Sequence, residues 1–303
     1  MDLWHIRGGR RLEGNLRVQG SKNASLPILA ASVLCPLRCE LLNVPRLSDT
    51  DAALRILEHL GCTVARERDR VYIDSTAISG SAVPHRLMAE MRSSVIFMGA
   101  LLARCGEARL SLPGGCQLGK RPIDLHLASL RKLGAGIEED ENELHCRARR
   151  LQGAEIDLPF PSVGATENAL LAACGARGET LIRGAAREPE IVALADFLRA
   201  MGAEIRGAGS DTIRLTGFHP KRELCFRIPS DRIAAATFAC AAAGCGGDVT
   251  LCGLDPVQIS AVLHFLNAAG CDIISLNHAL RLRSDGRLHA VGPVVTAPYP
   301  GFP

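Results

Sequence analysis

Apolar positions along this chain follow two periods, one helical and one alternating, that take turns in a fixed order. Four stretches are rich in small and apolar residues with few polar interruptions: SKNASLPILAASVLC from Ser21, MRSSVIFMGALLARCG from Met91, SVGATENALLAACGARG from Ser162 and PSDRIAAATFACAAAGCG from Pro229. Apolarity around most of the circumference predicts buried helices. Each is followed by a short strand-like run, CELLNV, ARLSL, ETLIRG or DVTLCG. A helix with one apolar face comes next, in ALRILEHLG, DLHLASLRKLG, IVALADFLRAMG and ISAVLHFLNAAG.

Every second helix ends at a glycine, at positions 61, 134, 202 and 270, where a left-handed C-cap is expected. Two strand-like runs around a polar turn then close each segment as a hairpin. The chain therefore reads as one βαβαββ unit written four times, an α/β (α+β) fold, and such periodicity has to be settled first because it fixes the architecture. The intervals between the capping glycines are 73, 68 and 68 residues. The longer interval places about five additional residues in the connection containing GGCQLGKRP, and connections are where catalytic groups and lids concentrate.

Composition narrows the function classes. With 303 residues, 47% of them hydrophobic, the chain can bury a substantial core. A formal net charge of +3 gives no basic excess directed at nucleic acid or an anionic membrane surface. The longest apolar runs, LPILAASVLCPL and SVIFMGALLA, fall short of the roughly 18 residues that span a bilayer. The polar, glycine-containing N-terminus lacks a signal-peptide core, so a cytoplasmic location is expected. Most of the twelve cysteines sit in apolar settings and are expected to be small core residues. The close pairs Cys35/Cys39 and Cys240/Cys245 lack a second pair at zinc spacing, so neither a metal nor a cofactor is expected.

Candidate chemistry clusters at equivalent points of the units. The first helices open with Ser21-Lys22-Asn23, Arg92-Ser93-Ser94, Ser162-Val163-Gly164 and Ser230-Asp231-Arg232. Unpaired amides at a helix start suit phosphate, and Lys or Arg beside them adds charge. The same residues also have structural readings: serines cap helices, Gly164 permits close helix packing, and the cations face solvent. Recurrence at one point of each unit favours a phosphorylated ligand. In the longer connection, Cys116 lies among Gly114, Gly115 and Gly119 with Lys120 and Arg121 nearby, a setting able to lower a thiol pKa on a movable loop. Pro122 and Asp124 suit the first turn of the following helix. His126 reads as structural or solvent-facing.

Six segments in order, GSKNASLPILAA, MRSSVIFMGALLAR, SLPGGCQLGKRPIDLH, FPSVGATENALLAA, AAREPEIV and PSDRIAAATF, resemble the UDP-N-acetylglucosamine 1-carboxyvinyltransferases, a family of enolpyruvyl transferases. The likeness spans essentially the whole chain, and the cysteine-loop segment is its most specific part. It implies an inside-out α/β barrel architecture of six βαβαββ units in two domains, with substrate between them and four units present here. Residues 21–228 would form a three-repeat domain carrying the cysteine loop and much of the nucleotide-sugar site, and 1–20 with 229–303 an incomplete second domain.

The resemblance implies transfer of enolpyruvate from phosphoenolpyruvate to the 3′-hydroxyl of UDP-N-acetylglucosamine with release of phosphate, the first committed step of peptidoglycan synthesis and the target of fosfomycin. Its partners would be those two small molecules. Carried onto this chain, Cys116 is the proton donor, also able to attach to phosphoenolpyruvate. Lys22 and Asn23 meet phosphoenolpyruvate. Arg92, Arg121, Pro122, Ile123, Asp124, Leu125, Ser162, Val163 and Gly164 meet the nucleotide sugar, and Glu188 and Asp231 match cleft positions. The family's Thr-Asp after GFP, and its later arginines, lie beyond Pro303, so little turnover is expected of these 303 residues. Two alternatives stand beside this reading: a noncatalytic UDP-sugar-binding protein and a 5-enolpyruvylshikimate-3-phosphate synthase relative.

Overall fold

The computed structural model describes residues 3, 5, 7–91, 93–111, 123–140 and 143–302. In chain order, β1 (Leu12–Arg17) leads into α1 (Lys22–Ala31), β2 (Arg38–Leu42), α2 (Ser48–His59), β3 (Thr63–Glu67) and β4 (Arg70–Asp74). The next unit runs through β5 (Ala82–Val83), α3 (His85–Glu90), a 3-10 turn at Ser94–Ile96, α4 (Phe97–Cys105), β6 (Glu107–Ser111), α5 (Asp124–Lys132), β7 (Gly136–Glu139) and β8 (Glu143–Arg147). The third comprises β9 (Glu155–Asp157), α6 (Val163–Ala173), β10 (Thr180–Arg183), α7 (Pro189–Met201), β11 (Ala203–Arg206) and β12 (Thr212–Phe218). The last holds β13 (Glu223–Arg227), α8 (Arg232–Cys245), β14 (Gly247–Cys252), α9 (Ser260–Ala268), β15 (Asp272–Leu276) and β16 (Ala279–Ser284).

The strands form four sheets of one design, ordered β13-β2-β4-β3, β5-β6-β8-β7, β9-β10-β12-β11 and β1-β14-β16-β15. In each, the outer first strand pairs parallel with the second, while the closing hairpin pairs antiparallel. The capping glycines at 61, 134, 202 and 270 all have φ between +93° and +112°, the left-handed cap the sequence predicts. One feature departs from a simple tandem repeat. The strand preceding α1 is β1, yet it pairs with β14; the strand preceding α8 is β13, yet it pairs with β2. Two first strands are thus exchanged, and the chain divides at Gly20/Ser21 and Ile228/Pro229 into a unit of Ser21–Ile228 and a unit of Met1–Gly20 with Pro229–Pro303.

In the 21–228 unit the small-residue helices α1, α4 and α6 lie inside, and the three sheets present their alternating faces outward. Eight of the ten residues of α1 and nine of the eleven of α6 are buried. A fully buried side chain such as Leu29 stabilises by about 1.5–3 kcal/mol. The helix α4 starts later than the sequence suggests: Ser94 donates its hydroxyl to the Met88 carbonyl at 3.2 Å and a 3-10 turn intervenes, so Phe97 is its first residue. The 229–303 unit has its own smaller core, built from Val18, Leu251, Leu280 and Leu282 under α8 and α9. Six of the eleven described cysteines are buried, while Cys105, Cys225, Cys240 and Cys245 are exposed. The expectation of mostly core thiols therefore holds for only a narrow majority of them. All eleven are free thiols, and burial pushes Cys39 and Cys62 up to about 12.

Candidate functional site

The site residues follow from how the inner helices begin. Ser21 caps α1, its hydroxyl accepting from the Ala24 amide at 3.2 Å, and Ser162 caps α6 by accepting from the Ala165 amide at 3.4 Å. Neither helix has an acidic residue in its first turn, so the positive end of each dipole is uncompensated there. Lys22 and Asn23 are half-buried at the start of α1. The Lys22 ammonium lies 3.2 Å from Asp49 in the first turn of α2, a partly exposed pair worth of order 0–1 kcal/mol for which a phosphorylated ligand can compete. Pro27 inside α1 has no N–H, so the Asn23 carbonyl four residues earlier receives no helical bond.

A buried polar network fixes α5 against α6 and α4. Asn168, fully buried in α6, accepts from the Gly99 amide through Oδ1 at 2.8 Å. Its Nδ2 donates to the Val95 carbonyl at 3.1 Å and lies 2.7 Å from His126 Nδ1. His126 is only 9% exposed, and burial pushes it down to about 4, with Asp124 acting weakly in the opposite direction. Its ring packs on Gly164: a Cβ there would lie 2.8 Å from His126 Cε1. Close packing is thus a sufficient reason for glycine at 164. Ile123 and Leu125 at the start of α5 and Val163 at the start of α6 are partly buried and pack against the same core.

Behind this surface is a group of carboxyls. Thr166 accepts from the Ala186 amide at 3.1 Å and donates to the Ser162 carbonyl at 2.8 Å, which ties the segment before α7 to the first turn of α6. That brings Glu188, the residue before α7, and Glu190 into the electrostatic environment of Glu167. Burial, reinforced by Glu190 and Glu188, raises Glu167 well above the usual carboxyl range. Among the described residues, Glu188 Oε2 is buried with no hydrogen-bond partner.

Of the sequence-predicted residues, Lys22, Asn23, Ile123, Asp124, Leu125, Ser162, Val163, Gly164 and Glu188 all belong to the 21–228 unit. Asp124 is the first residue of α5 and exposed, as a helix-start carboxylate would be. Asp231 belongs to the other unit, where it caps α8 by accepting from the Ile233 and Ala234 amides at 2.9 Å. There Arg232 stacks over the Tyr299 ring at 5.2 Å beside a cavity of about 390 Å³. Cys116, Arg92, Arg121 and Pro122 lie outside the described residues. Among the described residues no group of three or more His, Cys, Asp or Glu side chains is placed to hold a metal, and no helix is long and apolar enough to cross a membrane. Sequence reasoning passed over Asn168, Glu167 and Asp49. The signal for the first two was a polar pair inside the apolar run VGATENALLAA, where burial demands partners.

The chain matches the family model described as EPSP synthase (3-phosphoshikimate 1-carboxyvinyltransferase) over residues 6–303. It is 45% identical over all 303 residues to UDP-N-acetylglucosamine 1-carboxyvinyltransferase 2 of Caldanaerobacter subterraneus subsp. tengcongensis, of which it covers 73%. Against the UDP-N-acetylglucosamine 1-carboxyvinyltransferase of Geotalea uraniireducens it is 43% identical over the same length and covers 72% of that protein. Among solved structures it resembles the enolpyruvyl transferase NikO from Streptomyces tendae, with a TM-score of 0.81 at 21% identity over 92% of this chain and 67% of that one. An EPSP synthase from Acinetobacter baumannii gives 0.74 at 22% identity over 94% and 67%. These two likenesses concern the fold, with its four-stranded sheets and helices inside.

Proposed function

We propose that this chain, which belongs to the EPSP synthase family of carboxyvinyltransferases, serves the transfer of enolpyruvate from phosphoenolpyruvate to the 3′-hydroxyl of UDP-N-acetylglucosamine. The observation that carries the reading is the 45% identity, along the entire chain, to a relative named for that transfer. The likeness to an EPSP synthase structure is 22%. The reaction belongs to peptidoglycan synthesis, and hence to cell-wall growth and division, and its setting is the cytoplasm.

Each residue has a part that its chemistry supports. At the α6 start, the Val163 and Gly164 amides, the Ser162 cap and the helix dipole are offered to the diphosphate-uridine portion. Ile123, Asp124 and Leu125 at the α5 start, with Arg121 and Pro122 before them, grip the base through backbone and stacking contacts. Arg92 adds positive charge. Lys22 and Asn23 hold phosphoenolpyruvate, Lys22 exchanging its contact with Asp49 for the phosphate. The Cys116 thiol gives its proton to the methylene carbon of phosphoenolpyruvate as the sugar 3′-oxygen, its own proton passing to solvent, bonds to the neighbouring carbon; loss of one proton from the resulting methyl group together with phosphate then restores the double bond as an enol ether. Glu188 and Asp231 complete the set.

Calorimetric titration tests the substrate assignment. UDP-N-acetylglucosamine is expected to bind and shikimate 3-phosphate is not; the reverse order would overturn it. With the sugar bound, mass spectrometry should find fosfomycin attached at Cys116 in preference to the exposed Cys105 and Cys225.

A further inference from the structure

The hydrogen bonds around Asn168 leave His126 a single arrangement. Gly99 N–H can only donate and the Val95 carbonyl can only accept, so the amide is oriented with Oδ1 toward Gly99 and Nδ2 toward Val95. The second Nδ2 proton then points to His126 Nδ1 at 2.7 Å, which requires a lone pair there. A neutral imidazole that accepts at Nδ1 carries its proton on Nε2. Protonating Nδ1 as well would set one donor against another, which agrees with the lowered pKa of this buried ring.

The Nε2 edge faces the start of α6. It lies 3.1 Å from where a Cβ on Gly164 would stand, beside the Val163 and Gly164 amides that have no partner inside the helix. Among the described residues Nε2 has no hydrogen-bond acceptor, although the side chain is nine-tenths buried. An oxyanion at the helix start would give that donor a charged acceptor.

We propose that His126 is a further binding residue, whose Nε2–H, held in that tautomer by Asn168, donates to an oxyanion bound at the start of α6. In this protein the oxyanion is the diphosphate of the nucleotide sugar, an assignment that rests on the function proposed above. Gly164 is then required twice over, because any side chain would displace the ring as well as cover the amides.

Long-range proton–nitrogen spectra of the histidine-labelled chain test this directly. The expected result is a neutral Nε2–H tautomer for His126 at pH 7, with its Nε2–H signal shifting when pyrophosphate or UDP-N-acetylglucosamine is added. His126→Phe should weaken binding of both by about tenfold, the loss of one hydrogen bond to a charged group. His126→Gln, which keeps an N–H donor, should restore affinity to within about threefold of the parent. A proton on Nδ1, or an unmoved Nε2–H signal at saturation, overturns the proposal even where the variants fold poorly. A shift with pyrophosphate but no binding of the nucleotide sugar would uphold the His126 role and sink the substrate assignment. Tight nucleotide-sugar binding with His126 unmoved would do the opposite.

Discussion

The inner helices α1 and α6 of the 21–228 unit and the helix α8 of the other unit are built from the same kinds of residue and meet different fates. Nine of eleven residues of α6 are buried against only four of fourteen in α8, where Ile233 is 49% and Phe238 43% exposed. The difference lies in neighbours. Three repeats in the larger unit pack α4 against both α1 and α6 within one core, whereas residues 1–20 and 229–303 hold one repeat, which covers one side of α8. A small-residue helix thus encodes a capacity for close packing, and burial follows only where repeats supply the partners. The proposed nucleotide-sugar residues that the structure describes, Ile123, Asp124, Leu125, Ser162, Val163 and Gly164, sit on the fully packed unit, where rigid helices hold their starts in place.

The largest effect expected from this contrast is on large-to-small substitution. Leu29→Ala, inside α1, should cost about 2–5 kcal/mol in urea unfolding, whereas Ile233→Ala in α8 should cost under about 1 kcal/mol. Equal costs would erase the distinction. Next comes a pair of glycines. A Cβ at Gly99 would stand 2.4 Å from the Asn168 carbonyl, while one at Gly244 meets nothing within 4 Å. Gly99→Ala should therefore destabilise by about 1–3 kcal/mol, and Gly244→Ala should stabilise by up to about 1 kcal/mol through helix propensity.

Titration sharpens the same contrast, because the packed unit holds buried ionisable groups. Between pH 6.5 and about 4 an unfolded His126 takes up a proton that the folded ring refuses. Stability should therefore fall as the pH drops through that window, by at most about 3 kcal/mol. Glu167 acts in the opposite direction: its raised folded pKa keeps the proton while the unfolded carboxyl ionises above about 4.5. Its contribution is present at low pH and lost as pH rises. Glu167→Gln should accordingly gain stability relative to the parent, more at pH 8 than at pH 5. A gap that is the same at both pH values would contradict the assignment of a buried, protonated carboxyl.

Much of this architecture is legible in the chain. The two periods, the glycines at 61, 134, 202 and 270 and the polar hairpin turns identify each repeat because local sterics and burial dictate them. The exchange of β1 and β13 is not legible, since either strand satisfies the local pattern and the choice of partner is made by non-local pairing. The late start of α4 depends on a hydroxyl bond from Ser94 to Met88, which propensity does not register. The positions of helix starts, and so of Lys22, Asn23, Asp124 and Ser162 to Gly164, were readable from recurrence. The dependence of that surface on Asn168 and His126 was not, because it arises where three helices meet. Residue types alone leave His126 as readily on the surface as in the core.

Hydrogen exchange of the chain with and without UDP-N-acetylglucosamine tests most directly the claim that the packed three-repeat unit carries the nucleotide-sugar residues. The amides of α1, α4 and α6 should exchange far more slowly than those of α8 in the free chain. Ligand should add protection around residues 123–126 and 162–166. Equal protection of α8 in the free chain, or ligand-induced protection confined to residues 229–303, would contradict it.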